Sequence, residues 1–169
     1  RNYIRTIAEI DGVRLTSLAT RNQENHALVG SDCRLRADWR DVVAATDLDG
    51  VIVATPPNVH AEIADAAIAA GLPVLVEKPL TLDRAEADNL LETARTKNAL
   101  VMVNHTHLYS PAFREFLRRA CDLGPLRRIE TEAANWGPFR DDVGVLWDWG
   151  AHDIAMCLAL AGEAPSEIE

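Results

Sequence analysis

The stretch LPVLVEKP, residues 72–79, decides the fold that the sequence predicts. Val74–Val76 is β-prone and has no polar break, which is typical of a strand buried on both faces of a parallel sheet. Glu77 and Lys78 would follow at the carboxyl end of this strand, where open α/β sheets bind ligands, and Pro79 would stop the strand. The charged pair therefore belongs either to a ligand crevice or to an ordinary solvated turn.

Further apolar runs alternate with helical patterns on both sides of this stretch. The other expected strands are Val13–Ala19, Val51–Ala54 and Leu100–Val103. Helices are expected around Tyr3–Ile10 and after the candidate caps Asp38, Asn58, Asp83 and Ser110. Strands that alternate with helices at short intervals predict right-handed βαβ units. We therefore expect an α/β fold built on a doubly wound, parallel sheet of the Rossmann type.

The pattern changes after residue 125. Arg128–Ala133 alternates polar and apolar residues, as a half-exposed strand does, and a loop with Trp136–Pro138 follows. An apolar helical face then runs from Ile154 to Ala161. We expect a dinucleotide-binding domain over residues 1–108, and a linking helix with the start of a second α/β domain over residues 109–169.

The composition limits the partners that are expected. The net charge is −9 and no basic stripe occurs, which argues against nucleic acid and against an anionic membrane surface. Three widely spaced cysteines favour a reducing compartment over a disulfide framework. No apolar run is long enough to span a bilayer and no secretory signal is visible, so a cytoplasmic protein is expected.

Asp148 and His152 are four residues apart at the start of the last helix. This spacing would place both side chains on one helix face, where a carboxylate can orient an imidazole and raise its basicity. A capping aspartate next to a core histidine gives the same pattern. The flanking Trp147 and Trp149 favour a walled pocket over a solvated surface.

His105 and His107 follow a predicted strand, and His-x-His after a strand is also a metal-ligand pattern of barrel hydrolases. Such barrels have typically ~250 residues and need further ligands, so we expect no metal site. Thr20 and Arg21 end an earlier strand, where a dinucleotide-binding fold places the group that selects the ribose. Arginine there can meet a 2′-phosphate, and a solvated charge is an equal alternative.

No Gly-x-Gly-x-x-Gly sequence occurs in the chain. A complete dinucleotide-binding domain would carry this loop just before its first helix, which is where the chain begins. We therefore expect either a fragment of a longer enzyme or a truncated product. An incomplete sheet would leave an unpaired edge, for which pairing with another copy in a homo-oligomer is expected.

Together these motifs resemble the Gfo/Idh/MocA oxidoreductases, the family of glucose–fructose oxidoreductase and inositol dehydrogenase. The resemblance lies in ATPPN at residues 54–58 with His60, in EKP at residues 77–79 and in WDWGAHD at residues 147–153. It covers nearly the whole chain in the family's order. The stretch NHTHLYSP, residues 104–111, resembles the members that act on nucleotide sugars or related sugar acids.

The resemblance implies an NAD(P)-dependent oxidoreductase that transfers hydride between a sugar, nucleotide-sugar or polyol hydroxyl and NAD or NADP. It implies that Lys78 lies near the nicotinamide, that His152 is the acid/base and that Asp148 holds the substrate or the histidine, while His107 reaches the substrate. The implied cofactor contacts are Ala54, Thr55, Pro56, Asn58, His60, Glu77, Lys78 and Pro79. Two alternatives stay open: a dehydratase or epimerase that recycles a bound cofactor, and a non-catalytic dinucleotide-sensing protein.

Overall fold

The computed structural model describes residues 2–133 and 143–168, and within them the strands are short and parallel. The elements in chain order are α1 (Asn2–Ala8), β1 (Ser17–Ala19), β2 (Arg34–Arg36), α2 (Trp39–Val43), β3 (Val51–Val53), α3 (His60–Ala69), β4 (Val74–Val76), α4 (Arg84–Lys97), β5 (Val101–Val103), α5 (Pro111–Cys121) and α6 (Ala151–Ala161). A π-helical segment, Leu146–Gly150, leads into α6. None of the described helices is both long and apolar enough to cross a membrane.

The strands form a two-stranded sheet, β1–β2, and a three-stranded sheet in the order β3–β4–β5. Val53 pairs with Val76, and Val76 pairs with Val103, so the three strands of the larger sheet end side by side. Helices connect each of these strands to the next, which is the βαβ arrangement that the sequence predicts. The α/β, Rossmann-type fold class is thus confirmed.

The hydrophobic core lies between the larger sheet and the helices α3 and α4. Its buried members are Val51, Val53, Ile63, Ala64, Ala67, Ile68, Val74, Val76, Leu90 and Ala94. Ala64 and Ala67 are completely buried, and their small side chains let α3 approach the sheet closely. The core therefore fixes the position of β4, the strand that leads into Glu77 and Lys78.

The opposite face of this sheet is more open than expected. Ile52 and Met102 point away from the core and are each 39% exposed, while Leu75 between them is half-buried. The expectation of burial on both faces is therefore wrong for β3 and β5, because the helices that pack in the described core lie on the other side. Phe116 on α5 is also exposed.

Of the four expected helix caps, two are confirmed, one is wrong, and Ser110 stands at the N-cap of α5 without a side-chain hydrogen bond. The side chain of Asp38 accepts from the Arg40 amide, and that of Asp83 accepts from the amides of Ala85 and Glu86. Asn58 instead lies inside a 3₁₀ turn, Pro57–Val59, and makes no cap. Pro57 sits at the first position of this turn, where its fixed φ favours an early start, so the turn begins before Asn58.

The sequence reading also differs from the structure in two short segments. Arg128–Ala133 forms no strand, because no described strand lies beside it to satisfy its backbone groups. The strand β2 was missed, since three residues of polar–apolar alternation are too few to indicate a strand. The loop expected at Trp136–Pro138 lies outside the described residues, and the expected domain boundaries stay predictions.

The buried centre of β4 gives a test of this core. Val76 is 0% exposed, so Val76→Ala should lower the free energy of unfolding by about 1–3 kcal/mol through lost burial and an unfilled space. Urea unfolding followed by circular dichroism would measure the change. The matched control is Val13→Ala, since Val13 is 51% exposed and should lose at most about 0.5 kcal/mol. Equal losses in the two variants would contradict this assignment of the core.

Candidate functional site

A cavity of about 370 Å³ opens at the carboxyl ends of β3 and β4. The residues that line it are Ala54, Thr55, Pro56, Pro57, Glu77, Lys78, Pro79, Val143 and Asp148. Neighbouring parallel strands end at the same edge of a sheet, so the loops after β3 and β4 face each other across this space. The structure therefore brings the expected residues 54–56 and 77–79 together with Asp148.

Lys78 and Asp148 form the central ion pair of the cavity. The Lys78 ammonium donates to Asp148 Oδ1 over 2.6 Å and to the Asp148 backbone oxygen over 2.5 Å. Both side chains are largely buried, so the pair is less screened by solvent than a surface ion pair. The contact joins the end of β4 to the π-helical segment 70 residues later, and it holds the amine at the cavity.

His60 joins the two loops that form the cavity. Its ring is 1% exposed, and its Nδ1 and Nε2 each lie 2.8 Å from a backbone oxygen, those of Pro79 and Thr55 respectively. A neutral imidazole donates to one of these oxygens, and a protonated ring donates to both. Because both nitrogens face backbone oxygens, His60 is placed to position the loops. The direct cofactor contact expected from the sequence stays a prediction.

Besides burial, the influences that lower the pKa of His152 are the charges of three basic side chains: Lys78, His107 and His105. Its ring meets the His107 ring edge to face, with centroids 4.4 Å apart. Burial lowers the pKa of His152 below its ordinary value of 6.5; the charge of Lys78 lowers it further, as do His107 and His105, while Glu77 acts in the opposite direction. The imidazole is therefore neutral near pH 7 and can accept a proton.

Asp148 and His152 each have a partner of their own in the structure. Asp148 binds Lys78, and His152 packs against His107 while its Nδ1 lacks a hydrogen-bond partner. Asp148 lies in the π-helical segment Leu146–Gly150 and His152 in the first turn of α6, so the α-helical spacing assumed for the pair does not hold along the whole stretch. That the carboxylate orients the imidazole stays a prediction.

Glu77 is held by two side chains that the sequence analysis did not single out. The Tyr3 hydroxyl donates to Glu77 Oε1 over 2.7 Å, and Asn104 Nδ2 donates to the same oxygen over 2.9 Å. Asn104 Nδ2 also donates to the Tyr3 hydroxyl over 2.6 Å. The only local signal was that Asn104 directly follows a predicted strand and so lies at the ligand-binding edge of the sheet.

The chemistry of the cavity fits a dinucleotide. Thr55 Oγ1, in the cavity lining, is a buried polar atom without a hydrogen-bond partner, and a polar ligand can supply one. Pro56 and Pro79 give the cavity rigid walls suited to a flat ring. The loop after β3 and residues 77–79 are thus the groups that would hold such a ligand.

Four expected cofactor contacts lie outside this lining, and one of them is His60, described above. Thr20 and Arg21 follow β1 in the smaller sheet, where Thr20 Oγ1 accepts from the Asn22 amide and Arg21 is exposed. Asn58 follows the lining loop and is also exposed. Their assignment to the cofactor stays a prediction.

In the part of the chain that the structure describes, no group of three or more His, Cys, Asp or Glu side chains is arranged to hold a metal ion. His105 acts on the site through its charge, which, together with burial, lowers the pKa of His152. Its Nδ1 is buried without a hydrogen-bond partner, and burial lowers its pKa.

Comparison with known proteins places the chain among oxidoreductases. Residues 1–105 match the family described as "Oxidoreductase family, NAD-binding Rossmann fold", with the name GFO_IDH_MocA. UDP-N-acetylglucosamine 3-dehydrogenase of Acidithiobacillus ferrooxidans is 32% identical over 156 residues, which are 92% of this chain and 49% of that protein.

Solved structures give the same result. A protein from Magnetospirillum magnetotacticum MS-1, described as an oxidoreductase, matches with a TM-score of 0.94 and 48% identity, over 98% of this chain and 54% of that one. GenD2 from gentamicin A biosynthesis, solved in complex with NAD, matches with a TM-score of 0.80 and 26% identity, over 95% and 50% of the two chains. The chain spans about half the length of these relatives.

The lowered pKa of His152 makes a prediction about acid stability. The unfolded chain takes up a proton at this histidine near its ordinary pKa of 6.5, whereas the folded chain does so only at lower pH. Stability is therefore fully present above about pH 6.5 and falls as the pH drops through the folded pKa. His152→Gln should lose less free energy of unfolding than the wild type between about pH 7 and about pH 5. Urea unfolding at several pH values measures this, and parallel pH curves for the two proteins would contradict it.

Proposed function

Because the chain belongs to the Gfo/Idh/MocA oxidoreductase family, whose Rossmann fold binds NAD, we propose that the protein is an NAD(P)-dependent dehydrogenase. In this proposal, hydride moves between a hydroxyl-bearing carbon of a sugar or nucleotide sugar and the nicotinamide. The observation that carries the proposal is the ion pair between Lys78 and Asp148, which holds the ammonium at the cavity; Asp148 stands four residues before His152 in the chain. Beyond the effect of burial, the charge of Lys78 also lowers the pKa of His152. An amine and a neutral imidazole together provide a hydrogen-bond donor and a proton acceptor for one alcohol.

The loops at the strand ends would hold the cofactor. Thr55 offers an unpartnered hydroxyl, and residues 77–79 close the opposite side of the cavity. When bound, the nicotinamide supplies the acceptor or donor of hydride. His60 keeps the two loops together through the backbone oxygens of Thr55 and Pro79, so these walls are in place before a ligand arrives.

Lys78 would orient the substrate and stabilise its oxygen. The ion pair with Asp148 fixes the ammonium, which has three donors and keeps at least one available for a substrate hydroxyl. As the carbon–hydrogen bond loses hydride, negative charge develops on that oxygen, and a fixed ammonium next to it stabilises the transition state more than the ground state. Asp148 is then a positioning residue for the amine.

His152 would take the hydroxyl proton in the same step. Its imidazole is neutral near pH 7 because burial and the positive charge of Lys78 disfavour the protonated form. In the reverse direction the protonated ring returns the proton to the substrate oxygen. His107, which packs against this ring, is exposed and is the group placed to contact the far end of a substrate.

A nucleotide-sugar substrate is the specific form of this proposal. Its support is the 32% identity with UDP-N-acetylglucosamine 3-dehydrogenase, together with the NHTHLYSP motif at residues 104–111. UDP-N-acetylglucosamine is therefore the first substrate to test, with N-acetylglucosamine alone as the comparison that shows whether the nucleotide is required.

Lys78→Ala tests the assignment in the protein expressed from its complete gene. Loss of the ammonium should lower kcat/KM by about 10²–10³-fold, since a preorganised donor to a developing oxyanion contributes that much. The assay follows formation of the reduced nicotinamide with NAD and with NADP in separate reactions. Lys97→Ala is the matched control, because Lys97 is exposed in the last turn of α4 and lines no part of this cavity.

Unchanged turnover in Lys78→Ala would overturn the assignment of Lys78. Two other results would replace the dehydrogenase proposal. Conversion of the sugar without net reduction of added cofactor indicates a cofactor that is recycled within each turnover. Calorimetric binding of NAD that is unaffected by His152→Ala, with no turnover on either sugar, indicates a non-catalytic dinucleotide-binding protein.

A further inference from the structure

Tyr3, Glu77 and Asn104 form a closed set of three hydrogen bonds beneath the cavity. The tyrosine hydroxyl and the asparagine amide both donate to Glu77 Oε1, over 2.7 and 2.9 Å, and the amide also donates to the hydroxyl over 2.6 Å. The three residues come from α1, the end of β4 and the end of β5, up to 101 positions apart in the chain. One carboxylate is thus held from two other elements of the fold.

The hydroxyl in this set acts as a fixed donor. Burial raises the pKa of Tyr3, and the hydrogen bond and negative charge of Glu77 raise it further. The phenol therefore stays protonated throughout the neutral range and cannot serve as a base. A protonated phenol and a primary amide are both obligate donors toward a carboxylate, so Oε1 of Glu77 is fully engaged.

The other oxygen of Glu77 contacts the backbone at Lys78. Glu77 Oε2 accepts weakly from the backbone amide of Lys78 over 3.3 Å, and the negative charge of this carboxylate acts on His152. The carboxylate therefore influences both the path of the chain into Lys78 and the electrostatic field at the imidazole. Both effects depend on a single orientation of the Glu77 side chain.

We propose that Tyr3 and Asn104 are positioning residues that act through Glu77 on Lys78 and His152. Tyr3 and Asn104 do not themselves line the cavity, and the hydrogen bonds that join them to its lining end on the Glu77 carboxylate. With both donors present the carboxylate keeps one orientation. With either donor removed it can turn, and its charge is no longer fixed next to His152. The kinetic part of this inference rests on the proposed function.

A double-mutant cycle separates this role from a purely structural one. Tyr3→Phe, Glu77→Gln and the double variant are compared in the protein from its complete gene. Asn2→Ala is the matched control, because it removes an exposed side-chain hydrogen bond, with Arg5, from the helix that carries Tyr3. The first readout is the pH titration of the His152 ring by proton NMR, assigned by the signal that His152→Gln loses. This measurement needs neither cofactor nor substrate.

Glu77→Gln should move the His152 titration to lower pH, because the carboxylate favours the protonated ring. Tyr3→Phe should move it in the same direction by a smaller amount, and the double variant should match Glu77→Gln. In the second readout, Tyr3→Phe should lower kcat about tenfold with UDP-N-acetylglucosamine, the loss expected for one hydrogen bond to a charged group, while KM for NAD changes less than about twofold. Asn2→Ala should leave both readouts unchanged.

The inference is overturned if Tyr3→Phe leaves the His152 titration unchanged, or if the effects of Tyr3→Phe and Glu77→Gln simply add. Should Tyr3→Phe not fold, Asn104→Ala decides by the same two criteria, since it removes the other donor. Absence of turnover in the wild type would count against the proposed function alone, because the titration still reports whether Tyr3 acts through Glu77.

Discussion

The in-register parallel pairing of β3, β4 and β5 is the constraint on which the other features depend. Pairing of Val53, Val76 and Val103 makes three strands end at one edge, and the polar residues that follow them must then share that edge. Burial of α3 and α4 against one face keeps the pairing in place. The cavity is a consequence of this alignment, since its two walls are the loops that leave adjacent strands.

The sequence predicts the features that depend on local chemistry. The apolar run before Glu77 identifies β4, and Asp38 and Asp83 mark helix starts because their side chains satisfy free backbone amides there. The same reasoning, from the sequence alone, places residues 54–56 and 77–79 at one edge of the sheet. These predictions hold because each rests on a short stretch whose preference no distant contact opposes.

The features that the sequence does not predict depend on distant or irregular geometry. The partners of Glu77 lie 74 positions upstream and 27 downstream, and no local pattern links Tyr3 and Asn104 to it. The spacing of Asp148 and His152 assumes an α-helix, and no sequence pattern indicates the π-helical turn that the chain makes at Asp148. Arg128–Ala133 has a strand-like pattern, but alternation alone supplies no neighbour to pair with.

The imidazole of His60 links the two loops that form the cavity walls to the start of α3. Its ring is rigid, and each of its two nitrogens lies 2.8 Å from a backbone oxygen, one of Pro79 and one of Thr55. The ring therefore spans the distance between the two loops. Because His60 is also the first residue of α3, displacement of either loop would leave a ring nitrogen without its partner in a dry environment, so the cavity wall and the helix respond as one mechanical unit.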